Sequence, residues 1–140
     1  MASKVGSDTV TNGIRVKAVA KYMQENSNPE ADYYFFSYRI TVTNEGDEKV
    51  KLLSRHWIII DSEGNREDVR GPGVVGKTPD LGPGETFEYT SFCPLNTNWG
   101  TMEGNYQMKT EGGEIFDAHI GRFYLVSNTL LQTATSEEGE

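Results

Sequence analysis

Residues 70–77, Arg70-Gly71-Pro72-Gly73-Val74-Val75-Gly76-Lys77, carry the most suggestive chemistry in the chain. Three glycines in G-x-G-x-x-G order let a backbone approach an anion closely, and a cation stands at each end. In a dinucleotide fold this pattern follows a strand and opens a helix at the third glycine. An acidic residue then follows about 20 positions later. Here Gly76 runs into Lys77-Thr78-Pro79-Asp80-Leu81-Gly82-Pro83-Gly84, whose prolines and glycines cannot continue a helix. No helix N-terminus is therefore offered to a pyrophosphate. Two readings stay open. As a site, Gly71, Gly73 and Gly76 form a nest of N–H donors for a phosphate-containing small molecule, with Arg70 and Lys77 adding charge. As backbone, the glycines supply positive φ where the chain bends between sheets, and Pro72 has no N–H to give.

Other residues with chemical potential are scattered. On a pleated strand Arg55 and Trp57 share one face and His56 takes the other. Trp57 reads as core, Arg55 as a partner for a carboxylate, and His56 as a histidine on a sheet face. Asp117 and His119 share a face of another strand. Two histidines with a carboxylate suit a divalent cation, but no ligand-spacing motif links His56 to His119. Cys93 lacks a C-x-x-C partner and a cationic neighbourhood, so it reads as a buried or loop thiol rather than a nucleophile. The acidic pairs Asp61/Glu63 and Glu67/Asp68 fall in predicted turns and read as solvated. No nucleophile elbow, H-E-x-x-H or paired hydrolytic carboxylates are present, so no catalytic or metal residue and no cofactor is assigned. Residues 93–100 read as a loop. In the aromatic and amide-rich stretch 92–102, Phe92, Asn98 and Trp99 form a candidate interaction surface, with capping of the open sandwich end as the alternative.

The elements that must position these residues are strands. Period-two alternation is frequent, helical periodicity is nearly absent, and turn signals recur about every ten residues. Strands are predicted over 14–22, 34–43, 50–60, 66–69, 86–92, 102–110 and 115–126. Tyr106 is placed as a tyrosine corner. The pattern specifies an all-β sandwich of about seven or eight strands. One domain is expected over residues 10–126, between flexible segments 1–9 and 127–140. The 140 residues carry a formal net charge of −8, which counts against nucleic acid and anionic membranes as partners. One cysteine excludes an internal disulfide, residues 1–12 lack a signal-peptide core, and no apolar run spans a bilayer. A cytoplasmic location is expected.

Several longer matches bring these features together: Tyr33-Tyr34-Phe35-Phe36-Ser37-Tyr38-Arg39-Ile40, Leu53-Ser54-Arg55-His56-Trp57, residues 69–76, Phe87-Glu88-Tyr89-Thr90-Ser91, Gly100-Thr101-Met102-Glu103-Gly104-Asn105-Tyr106 and Ile120-Gly121-Arg122-Phe123. In these motifs the chain from about residue 33 to 126 resembles the ApaG family in its free-standing bacterial form. The resemblance implies an immunoglobulin-like or fibronectin type III-like sandwich. It implies a non-catalytic binding module with an unidentified protein partner and a link to cobalt and magnesium homeostasis. Related domains of eukaryotic F-box proteins and of a polymerase-delta-interacting protein look like interaction modules. The resemblance also carries the alternative of a sensor for nucleotide, pyrophosphate or diadenosine polyphosphate at the glycine loop.

Overall fold

A computed structural model describes residues 6–127. The alternating segments become strands β1 (Ser7–Thr11), β2 (Ile14–Tyr22), β3 (Tyr34–Asn44), β4 (Val50–Asp61), β5 (Arg66–Pro72), β6 (Asp80–Leu81), β7 (Thr86–Leu95), β8 (Trp99–Thr110) and β9 (Ile115–Val126). One sheet has the order β1-β2-β3-β7. The other runs β5-β4-β8-β9, with β6 paired to the end of β4. All pairings are antiparallel. The two sheets pack face to face as an immunoglobulin-like, fibronectin type III-like β-sandwich.

The inward residues form one core. Ile14, Val16, Phe36, Ile40 and Val42 from the first sheet meet Leu52, Trp57, Met102, Tyr106, Ile120 and Phe123 from the second. Trp57 sits at its centre, with Tyr38, Phe123 and Tyr106 rings at 5.3, 5.9 and 6.3 Å in edge-on contacts. Opposite Trp57 on β8 lies Gly104. A Cβ there would stand 2.0 Å from the His56 carbonyl oxygen, so the two strands approach closely only because that side chain is missing.

Nine strands among the described residues replace the expected seven or eight. β1 falls largely in the segment read as flexible, residues 1–9. Its sequence, Ser-Asp-Thr-Val-Thr, has no alternating apolar face, and Val10 is 49% exposed. Backbone pairing with β2 and two threonines hold it instead. Thr9 Oγ1 donates to the His119 carbonyl at 2.7 Å, and the His119 N–H donates to Thr11 Oγ1 at 3.1 Å. These bonds join β1 of one sheet to β9 of the other. On the opposite side β5 and β7 are edge strands, and no further strand pairs with either among the described residues.

Two other expectations are corrected. β7 continues to Leu95 through Pro94, because an edge strand tolerates a missing N–H. Trp99 is the first residue of β8, so the predicted loop 93–100 shrinks to residues 96–98. The connection 24–32 carries two single-turn 3₁₀ helices, Gln24–Asn26 and Pro29–Ala31. Of the predicted terminal segments, residues 1–5 and 128–140 lie outside the described residues. Among the described residues no helix is long and apolar enough to cross a membrane.

Candidate functional site

The glycine loop is built chiefly as a backbone device. Gly71 pairs with Arg55, one residue before the end of β5 at Pro72. A Cβ at Gly71 would meet Arg55 Nη2 at 2.9 Å, so this glycine makes room for a guanidinium. Gly73, at φ +58°, would place a Cβ 2.1 Å from the Lys77 carbonyl oxygen. Val74 and Lys77 exchange two 2.8 Å backbone bonds around Val75 and Gly76, whose φ angles are +42° and +80°. That is a two-residue hairpin turn with positive φ at both central positions. The Gly73 N–H donates to the Leu53 carbonyl at 2.8 Å. The N–H groups of Gly73, Val74 and Lys77 are therefore already engaged, and Pro72 has none. Val75 and Gly76 keep unbonded N–H groups, and the Arg70 and Lys77 side chains are exposed.

Arg55 does not pair with a carboxylate as expected. Its Nη1 donates to the carbonyls of Pro72 at 3.0 Å and Gly73 at 2.9 Å, pinning the loop to the mouth between the sheets. Trp57, 2% exposed, is the predicted core residue. Its Nε1–H has no acceptor among the described residues. An unmade buried hydrogen bond costs about 1–3 kcal/mol.

His56 stands on the outer face, as read. It lies in a hydrogen-bonded group rather than alone. Its Nε2 is 2.8 Å from Asp68 Oδ2, and Arg66 Nε donates to Asp68 Oδ1 at 2.8 Å. The Arg66 guanidinium, with His56 behind it, holds the Asp68 carboxyl well below the usual carboxylate range. Glu67 and Asp68 thus belong to a strand, on opposite faces, not to a turn. Asp61 does lie at a turn, where its Oδ1 accepts the Glu63 and Asn65 N–H groups at 2.9 and 3.0 Å. His119 aligns with His56 across Asn105 on this face, two strand spacings or about 10 Å away along the backbone. Among the described residues no group of three or more His, Cys, Asp or Glu side chains could hold a metal.

The aromatic candidates separate onto two sheets. Phe92, 54% exposed, lies on the outer face of the β1-β2-β3-β7 sheet. It stacks on Phe35 at 5.5 Å and 17°, and Phe35 stacks on Tyr33 at 6.1 Å and 20°. Trp99 and Tyr124 are exposed on the other sheet. The Asn98 carbonyl accepts the Ser127 N–H at 3.0 Å and anchors the end of the sheet. The three predicted interaction residues therefore do not form one surface.

Sequence reasoning missed a pocket of about 290 Å³ where the β5 and β7 edges face each other. Arg55, Trp57, Glu67 and Val69 line one side, and Ser91, Phe92, Cys93 and Pro94 the other. Burial pushes the Cys93 thiol up to about 12, so it is protonated at neutral pH. The spacing of Arg55 and Trp57 was a legible signal for one wall. The facing wall depends on how two sheets align, which no single-strand pattern records.

A family model described as the ApaG domain matches residues 24–110. Protein ApaG of Methylobacterium sp. (strain 4-46) is 53% identical over 115 residues, covering 82% of this chain and 88% of its own. Protein ApaG of Bdellovibrio bacteriovorus is 47% identical over 113 residues, with 81% and 89% covered. A crystal structure of a Bordetella pertussis protein carrying the name ApaA superposes with a TM-score of 0.80 at 46% identity, covering 81% of this chain and 93% of that one. The C-terminal domain of wzt shares the fold alone, at 9% identity and a TM-score of 0.52. With the family model over more than half of its length and these relatives over most of it, the chain belongs to the ApaG family.

Proposed function

We propose that this chain is a non-catalytic interaction module that takes a protein partner on the outer face of the β1-β2-β3-β7 sheet. The observation that carries this reading is the aromatic stack Tyr33–Phe35–Phe92, whose Tyr33 and Phe92 rings are exposed. Aromatic residues on a rigid surface give large contact area at small entropic cost, and interface hot spots are enriched in them. Any link to cobalt or magnesium homeostasis would run through that partner. The test is co-purification of the partner from its native extract with wild type, Phe92→Ala and Trp99→Ala proteins of matched melting temperature. Phe92→Ala should weaken capture at least ~10-fold, as hot-spot truncation does, with Trp99→Ala near wild type. The reverse order of effects would move the interface to the other sheet.

A phosphate-containing ligand at residues 70–77 is the second reading. It is supported by the exposed Arg70 and Lys77 and the unbonded N–H groups of Val75 and Gly76. Amide shifts at Val75 and Gly76 on adding pyrophosphate, abolished in Arg70→Ala/Lys77→Ala, would establish it. A silent loop would end it. Gly73 is a poor probe, because any side chain there strikes Lys77.

A further inference from the structure

We propose that the pocket between the β5 and β7 edges binds a small organic carboxylate, with the Arg55 guanidinium as its donor and the Trp57 ring in its wall. The two residues lie on one face of β4, two positions and about 7 Å apart. Arg55 bonds through Nη1 alone. Its Nη2 and Nε have no hydrogen-bond acceptor, and no carboxylate forms an ion pair with it among the described residues. A half-buried guanidinium in that state keeps its Nε and Nη2 donors for the two oxygens of a carboxylate, and the Trp57 ring lines the same pocket. The chain also gives up a side chain at Gly71 to seat this guanidinium against the strand.

The remaining walls set the rest of the ligand. Ile59, Val69 and Met102 are apolar, and about 290 Å³ accommodates a single ring or a branched aliphatic chain. Glu67 lines the same pocket and no cation pairs with it among the described residues. One guanidinium beside one carboxylate, on a chain of net charge −8, selects a monoanion over a polyphosphate. The inference does not depend on the aromatic face binding a partner.

The two tryptophans give two indole N–H signals in an amide spectrum of the ¹⁵N-labelled full chain, which makes the test direct. The probes are benzoate, isovalerate, benzamide and pyrophosphate. Benzoate and isovalerate should move the Trp57 indole signal saturably and leave that of Trp99 in place. Benzamide and pyrophosphate should leave both unmoved. Arg55→Met should weaken benzoate at least ~10-fold, as loss of a charge-assisted hydrogen bond does. Because Arg55 also pins the loop, Glu67→Gln provides a second, surface-compatible variant, expected to tighten benzoate about threefold by removing a like charge. No Trp57 shift at millimolar benzoate, an equal response to benzamide, or a Glu67→Gln affinity no tighter than wild type would each overturn the proposal.

Discussion

Tyr106 and Tyr89 meet hydroxyl to hydroxyl across the core, one on β8 and one on β7. Each satisfies a group that would otherwise be buried without a partner. Tyr106→Phe leaves the Tyr89 hydroxyl stranded and should cost about 1–3 kcal/mol in chemical denaturation. The double variant Tyr89→Phe/Tyr106→Phe should cost less than the sum of the single changes, since no hydroxyl is then orphaned. An additive result would mean that each hydroxyl finds another acceptor. The pair also marks the limit of reading residues from a pattern. Alternation identifies Tyr106 as inward-facing, and a tyrosine-corner role predicts a bond to nearby backbone. The actual partner comes from the facing sheet, and period-two alternation says nothing of which inward residues oppose each other. The same limit applies to Arg55, whose carboxylate partner was expected and whose acceptors proved to be loop carbonyls.

Among the elements, the legible strands are those with one wet and one dry face. β2, β3, β8 and β9 announce themselves by alternation. β1 does not, because threonine hydroxyls rather than apolar side chains fix it to β9. The end of β7 does not, because Pro94 imitates a loop. The glycine loop is legible as a chain-bending device, whereas its donor arrangement depends on how it packs against β4. Gly104 is the element-scale counterpart: its sequence position says little, yet the pairing of β4 with β8 depends on it. Gly104→Ala should lower stability by more than about 4 kcal/mol or prevent folding. Gly112→Ala, where the added carbon meets its nearest atom, Glu48 Oε2, at 3.4 Å, should stay within about 1 kcal/mol of wild type. Circular-dichroism melts compare them. Equal melting temperatures would show that β4 and β8 can part at little cost.

At the scale of the molecule, the core holds several weak acids in their neutral form. Burial raises the Cys93 thiol and the Tyr38, Tyr89 and Tyr106 phenols. A raised acid contributes its stabilisation in full below its unfolded value and loses it as pH rises towards the folded value. For the thiol that loss begins at about pH 8.5, and for the phenols at about pH 10. The melting temperature should therefore hold near neutrality and fall progressively above about pH 9. Cys93→Val should remove the earliest part of the decline, and a curve identical to wild type would assign it elsewhere. Asp68 works at the other end: its lowered value supports the fold above about pH 4 and the support is lost below that.

The threonine bonds between β1 and β9 give the sandwich a bound spine, while β5 and β7 form its fore-edge. A book so bound opens from one side. Backbone amides along the fore-edge exchange with solvent sooner than those along the spine, and whatever molecule settles between the leaves holds them shut. Trimming the chain past Thr11 cuts the stitches.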